Sequence, residues 1–191
     1  MLAIAVIPFP EIVPAALPML IVATGSRWAR GRSWAEVVRG GGFYAAIGAL
    51  AGALALALAV VVGSQGMSAL SQRSIEWSEH PIVRGNLGLV VIVGLYVAVT
   101  ALAAELALRG WIVERMLELS PGSPILPVFV GSLAEAAITP GDVTTRLGAG
   151  LFGAGLGWLY VKSGRSVVAP ICARVIFQSG AVVLEALRLV G

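Results

Sequence analysis

The sequence predicts an all-α fold, a polytopic bundle of about six transmembrane helices forming a single integral membrane domain over residues 1–191. Three observations point there. The 191 residues are 58% hydrophobic and only 12% charged, where a soluble domain carries about twice that share of charge. The mean hydropathy is +0.94. And the apolar residues fall into runs near the ~20 residues that a membrane-spanning helix needs, separated by short polar stretches.

The first predicted span covers residues 3–23. It contains Glu11 and four prolines, Pro8, Pro10, Pro14 and Pro18, so it is expected to begin kinked or partly extended. No basic stretch precedes the run Leu2-Ala3-Ile4, so a cleavable signal peptide is not expected. The second span, 42–63, is nearly pure Ala, Leu, Val and Gly, whose small residues allow close helix contact. The third, 87–113, begins after Pro81 and Asn86 and ends in polar residues. The fourth, 124–139, is short and bounded by Pro124 and Pro140. The fifth, 146–161, carries Gly148, Gly150, Gly153, Gly155 and Gly157, a pattern that suits helix packing better than phosphate binding. The sixth is 167–189.

The charges outside the spans are unevenly sorted. The net charge is +3, but no basic block runs beyond a few residues. The charge therefore orients loops across a bilayer, and no nucleic-acid partner is expected. Six spans put the loops 24–41, 114–123 and 162–166 on one side, with Arg27, Arg30, Arg32, Arg39, Arg115, Lys162 and Arg165. Arg73, Arg84, Arg146 and Arg188 fall on the other. The positive-inside rule then places the first side in the cytoplasm and both termini outside. Arginine outnumbers a single lysine, Lys162. That usage points to a GC-rich prokaryotic genome and hence to a prokaryotic plasma membrane.

Ionisable residues inside apolar spans cost several kcal/mol unless they face a bundle interior, a partner or water. Four stand out: Glu105 and Arg109 on the third span, Glu135 on the fourth and Arg174 on the sixth, with Gln178 beside the last. Glu105 and Arg109 are four residues apart and so share a helix face, as do Arg174 and Gln178. The formal charge over the four ionisable residues is zero, which a buried, compensated network requires. Two uses compete: polar glue between helices, and a polar cavity that binds or cuts a ligand. Arg109 taken alone reads as structural, Glu11 as interfacial, and the loop residue His80 as solvated. Cys172 is the only cysteine; it reads as a small buried apolar residue. No His/Cys cluster has metal spacing and no glycine-rich loop leads into a lysine, so neither a metal nor a cofactor is expected.

A family resemblance emerges from these same residues. Ala104-Glu105-Leu106-Ala107-Leu108-Arg109-Gly110 resembles the Glu-Glu-x-x-x-Arg-Gly signature of the CAAX-protease and bacteriocin-processing (CPBP, or Abi) family of helical intramembrane glutamic endopeptidases. Phe152 to Tyr160, then Lys162 to Ser166, then Ala169-Pro170-Ile171 are similar to the stretch leading into that family's last motif. The loop Arg30 to Glu36 is similar to its early loop. The resemblance covers about residues 25–180.

The departures are as informative. The family's first glutamate, the usual base on water, falls at Ala104. Its second is kept as Glu105, and its arginine as Arg109. The phenylalanine and histidine of the second motif fall at Gly131 and Glu135. In the last motif Arg174 takes the histidine position and Gln178 the asparagine position. Peptide hydrolysis needs a base to activate water and donors for the oxyanion, and a guanidinium stays protonated and cannot be that base.

The resemblance with these departures implies a divergent member with degenerate catalytic motifs, non-catalytic, binding a membrane peptide or partner protein through a charged intramembrane cavity. One alternative is a rewired glutamic endopeptidase, in which Glu105 and Glu135 form a carboxylate pair that activates water while Arg174 and Gln178 stabilise the oxyanion. A second alternative is a small transporter, since intramembrane charges also mark substrate pathways. The expected surroundings in all three are membrane lipid.

Overall fold

The computed structural model describes residues 15–63 and 83–189, and every described element is helical. The expectations for Glu11, His80, residues 3–14 of the first span and the 64–82 loop lie outside the described residues. Helix α1 is Ala16–Ala29, with Pro18 in its first turn, where a missing N–H is harmless. A 3-10 turn follows at Trp34–Glu36. Helix α2, Gly41–Leu58, runs on through a π-helical turn at Ala59–Gly63. Helix α3, Leu87–Ala107, continues through a second π turn at Leu108–Val113 into α4, Glu114–Leu119. Then come α5, Ile125–Ile138, α6, Val143–Lys162, and α7, Val168–Ala186.

A helix stands at each of the six predicted spans, but they are not equivalent. Gly41–Val61, Leu87–Leu119 and Val168–Ala186 are long and apolar enough to cross a bilayer. Helix α5 is apolar but has 14 residues; at 1.5 Å per residue it reaches about 21 Å, short of a hydrocarbon core of about 30 Å. The described part of α1 is equally short. Helix α6 has the length, but its glycines and Thr144, Thr145 and Arg146 dilute its apolarity. The first loop also needs correction. Residues 24–29 belong to α1, and Arg27 is 3% exposed rather than free in a loop.

The outward faces are as apolar as a lipid neighbour requires. Leu50, Leu54 and Leu58 line one side of α2, and Leu95, Val99 and Leu102 one side of α3, all exposed. With lipid outside there is no hydrophobic gain from helix contact, so close packing and hydrogen bonds must hold the bundle. Helix α2 meets α7 backbone to backbone: a Cβ on Gly48 would collide with the carbonyl oxygen of Ala169, and one on Gly52 with that of Ala173. Only glycine permits that approach. Ala16, Met19, Ala103, Ala107, Leu108 and Ala134 join α1, α3 and α5 in one apolar cluster.

The three loops expected on one side do meet at one end. Val167 N–H donates to Val37 O at 2.8 Å, and the Ser166 hydroxyl donates to Arg39 O. Glu118 takes Arg30 at 3.1 Å and Arg115 at 2.8 Å, while Glu114 lies 3.8 Å from Arg165.

Candidate functional site

The residues that place chemistry inside the bundle come from three helices. Glu105 and Arg109 sit where α3 passes into its π turn, Glu135 lies on α5 and Arg174 on α7. A π turn widens the helix locally and shifts the register of the residues after it. It packs on α5 at Gly131, where a Cβ would come within 2.5 Å of Val113 Cγ2. That contact gives a physical reason for glycine at 131, because a phenylalanine there would overlap Val113.

All four ionisable residues join one closed ring. Arg109 Nη1 donates to Glu105 Oε1 at 3.1 Å, as their four-residue spacing predicts. Arg109 Nη2 donates to Gly153 O of α6 at 2.7 Å. The same nitrogen lies 2.6 Å from Glu135 Oε2, a charge contact off the hydrogen-bonding direction. Arg174 Nε donates to Glu105 Oε1 at 2.5 Å, and its Nη2 donates to Glu135 Oε1. Each carboxylate therefore faces two guanidinium groups, and each guanidinium two carboxylates.

The ring is sealed. Glu105 and Arg109 are 0% exposed, Glu135 3% and Arg174 8%. Phe152 lies beneath Arg174, with Cζ 5.7 Å from the ring centroid, and stacks on Phe177 at 4.6 Å. Such a ring compensates charge completely, and loss of any one member leaves a buried charge without its counter-ion. Gln178 stands apart from it. It is half-buried one turn beyond Arg174, and its Oε1 is buried without a hydrogen-bond partner among the described residues. Ala104, 8% exposed, brings a methyl group beside Glu105. Cys172 is half-buried.

Residues 86–179 match the family model for type II CAAX prenyl endopeptidase Rce1-like proteins. They form a CPBP-family domain. The match is narrower than the resemblance read from sequence, since it leaves out α1, α2 and the Arg30–Glu36 loop. No curated protein and no solved structure matches the chain. Every member of the charged ring lies inside the CPBP domain, as do Ala104, Gly131 and Gln178.

The structure also shows a second polar centre that sequence reasoning missed, and it ties the CPBP domain to the preceding segment. Arg27 of α1 donates through Nη1 to Gly110 O at 2.9 Å and through Nη2 to Ser33 O at 2.5 Å. Its guanidinium lies 4.8 Å from the Trp34 ring centroid. Gly110 O is a carbonyl of the π turn, where backbone acceptors are freed from regular pairing. Nearby, Tyr160 donates to Glu114 Oε2 at 2.5 Å and Trp111 Nε1 to Ser26 at 3.1 Å. No local pattern announces these contacts. Arg27 follows Thr24-Gly25-Ser26 and reads as a loop cation, and its acceptor is 83 positions away.

Proposed function

We propose that this protein is a non-catalytic CPBP-family member, an integral membrane protein that binds a membrane peptide or partner protein and uses its charged centre to fix the bundle. The observation that carries this reading is the closure of the ring: Glu105 and Glu135 are each engaged by two arginines and are 0% and 3% exposed. A general base needs a free lone pair within reach of water and substrate. Here Glu105 Oε1 and Glu135 Oε1 accept from guanidinium groups that never deprotonate, and both carboxylates are buried away from water. The first glutamate of the family signature is Ala104, and neither family histidine has a counterpart at Glu135 or Arg174. The broad apolar faces of α2 and α3 offer a partner a surface within the bilayer. The arginine-dominated composition fits a prokaryotic plasma membrane.

One observation favours the rewired endopeptidase as a second reading. Glu105 Oε2 is buried and makes no hydrogen bond among the described residues, so the lone pairs of one carboxylate oxygen stay uncommitted.

A single assay separates the two. The reconstituted protein is offered a library of peptides, prenylated CAAX peptides included, as wild type, Glu105→Gln and Glu135→Gln. No cleavage by folded protein is the expected result. Cleavage by wild type that disappears in either variant would overturn the proposal and establish a protease.

A further inference from the structure

The end of the bundle where the 30–41, 114–124 and 162–167 segments meet carries more positive charge than its own carboxylates balance. Seven cations lie there (Arg27, Arg30, Arg32, Arg39, Arg115, Lys162 and Arg165) against three carboxylates, Glu36, Glu114 and Glu118, a surplus of four. The carboxylates are already engaged. Glu36 takes Arg32 and faces Arg27, Glu118 takes Arg30, Arg32 and Arg115, and Glu114 takes Tyr160 and faces Arg165.

Two cations are left over. Arg39 and Lys162 are exposed, and neither makes an ion pair among the described residues. Arg39 lies just before α2 and Lys162 ends α6, and the segments around them are held together. Ser166 bonds Arg39 O, Val167 N–H bonds Val37 O, and the Tyr44 hydroxyl lies 3.5 Å from where a Cβ on Gly164 would be. Phe43, at the start of α2, is 71% exposed, and Trp28, near the end of α1, 84%; an exposed indole is an amphipathic ring of the kind that collects at headgroup level. Arg39 stands two residues before α2 and Lys162 six residues before α7, both helices long and apolar enough to cross a bilayer, so the two uncommitted cations lie at the ends of spanning helices, where headgroups are met.

We propose that this end binds the phosphate of an anionic phospholipid headgroup, with Arg39 and Lys162 as the contacting cations. A polybasic surface gains roughly 1 kcal/mol per cation from an anionic leaflet, a factor of about five each. The opposite end lacks the surplus: among the described residues there, Arg84, Arg146 and Arg188 stand against Asp142 and Glu185.

The test is native mass spectrometry of the detergent-solubilised full chain with equimolar phosphatidylglycerol and phosphatidylcholine. Wild type should retain phosphatidylglycerol in preference. Arg39→Gln/Lys162→Gln should lower that preference roughly 25-fold while unfolding at the wild-type temperature, because both side chains are exposed. Arg146→Gln, at the other end, should leave it unchanged. Equal retention of the two lipids by wild type would overturn the proposal. So would an undiminished preference in the double variant, or an equal loss in Arg146→Gln. Glycerol phosphate is the remaining arm. If it displaces phosphatidylglycerol at equimolar concentration, the site serves a soluble phosphate ester and the lipid assignment falls.

Discussion

Gly153 of α6 lies directly against Glu135 of α5, such that a Cβ on residue 153 would stand 2.8 Å from Glu135 Oε2 and 3.3 Å from Glu135 Cβ. The carbonyl of the same residue accepts from Arg109. One position therefore supplies both an acceptor for the charged ring and the space that the ring occupies. Glu135 cannot swing aside, because Arg109 and Arg174 hold it from two sides. Gly153→Ala is expected to destabilise the bundle by about 1–3 kcal/mol, the usual cost of overpacking. Thermal unfolding in detergent checks this, and an unchanged midpoint would refute it.

The ring should behave as a unit. Glu135→Gln leaves two arginines sharing Glu105, and Arg174→Gln leaves two carboxylates sharing Arg109. Each single change is expected to cost about 3–5 kcal/mol, since it strands a buried charge. The double variant restores neutrality, so its cost should fall below the sum of the singles by roughly 0.5–3 kcal/mol. A double-mutant cycle on unfolding free energies measures this directly. Strict additivity would mean that the two residues do not interact.

The contact between α2 and α7 depends on two glycines. Gly48→Ala and Gly52→Ala each bring a methyl into a backbone carbonyl, which must move with its helix. A loss of at least about 1–3 kcal/mol is expected, read as a lower temperature of aggregation by size-exclusion chromatography. Gly42→Ala at the start of the same helix is the control. Nothing lies within 4 Å of its Cβ position and its backbone is not strained, so it should be neutral or slightly stabilising.

A pH effect is expected at the start of α6. Asp142 caps that helix, accepting from Thr145 N–H at 2.8 Å and from the Thr145 hydroxyl at 2.7 Å. The backbone bond from Thr145, then its hydroxyl, hold the Asp142 carboxyl below the ordinary aspartate range. A group whose folded pKa is depressed stabilises the fold above its unfolded pKa and loses that contribution as pH falls through the folded value. The unfolded value is about 3.9, so the stabilisation is present at neutral pH and fades in acid below that. Unfolding midpoints of wild type and Asp142→Ala, measured against pH, should differ at pH 7 and converge at the acid end. A gap that stays constant with pH would show that the carboxylate charge contributes nothing there.

The sequence made particular parts of this protein legible. Glu105 and Arg109 were readable as a pair because a four-residue spacing fixes a shared helix face. Arg174 was readable as a member of the same compensated network because an unpaired charge in an apolar helix is too costly to leave alone. The π turn at Leu108–Val113 was not readable, since no residue type marks an extra residue in a helical turn. Arg27 was misread as a loop cation, because α1 continues through Thr24, Gly25 and Ser26, residues with weak helix preference.

What the sequence determined by itself is the class and the necessity. Composition and the length of the apolar runs require a helical membrane protein, and four intramembrane charges summing to zero require that they find one another. The tertiary structure alone decided how they do so. Glu105 and Arg174 are 69 positions apart, and Glu135 and Arg174 are 39 apart. Which guanidinium meets which carboxylate, and whether the ring closes or opens onto a cavity, depends on helix register and on how closely backbones approach at Gly48, Gly52, Gly131 and Gly153. Periodicity assigns a face to each residue of one helix but carries no information about the depth at which two helices meet. That depth is set by steric fit between side chains distant in sequence, so it exists only once the chain has packed.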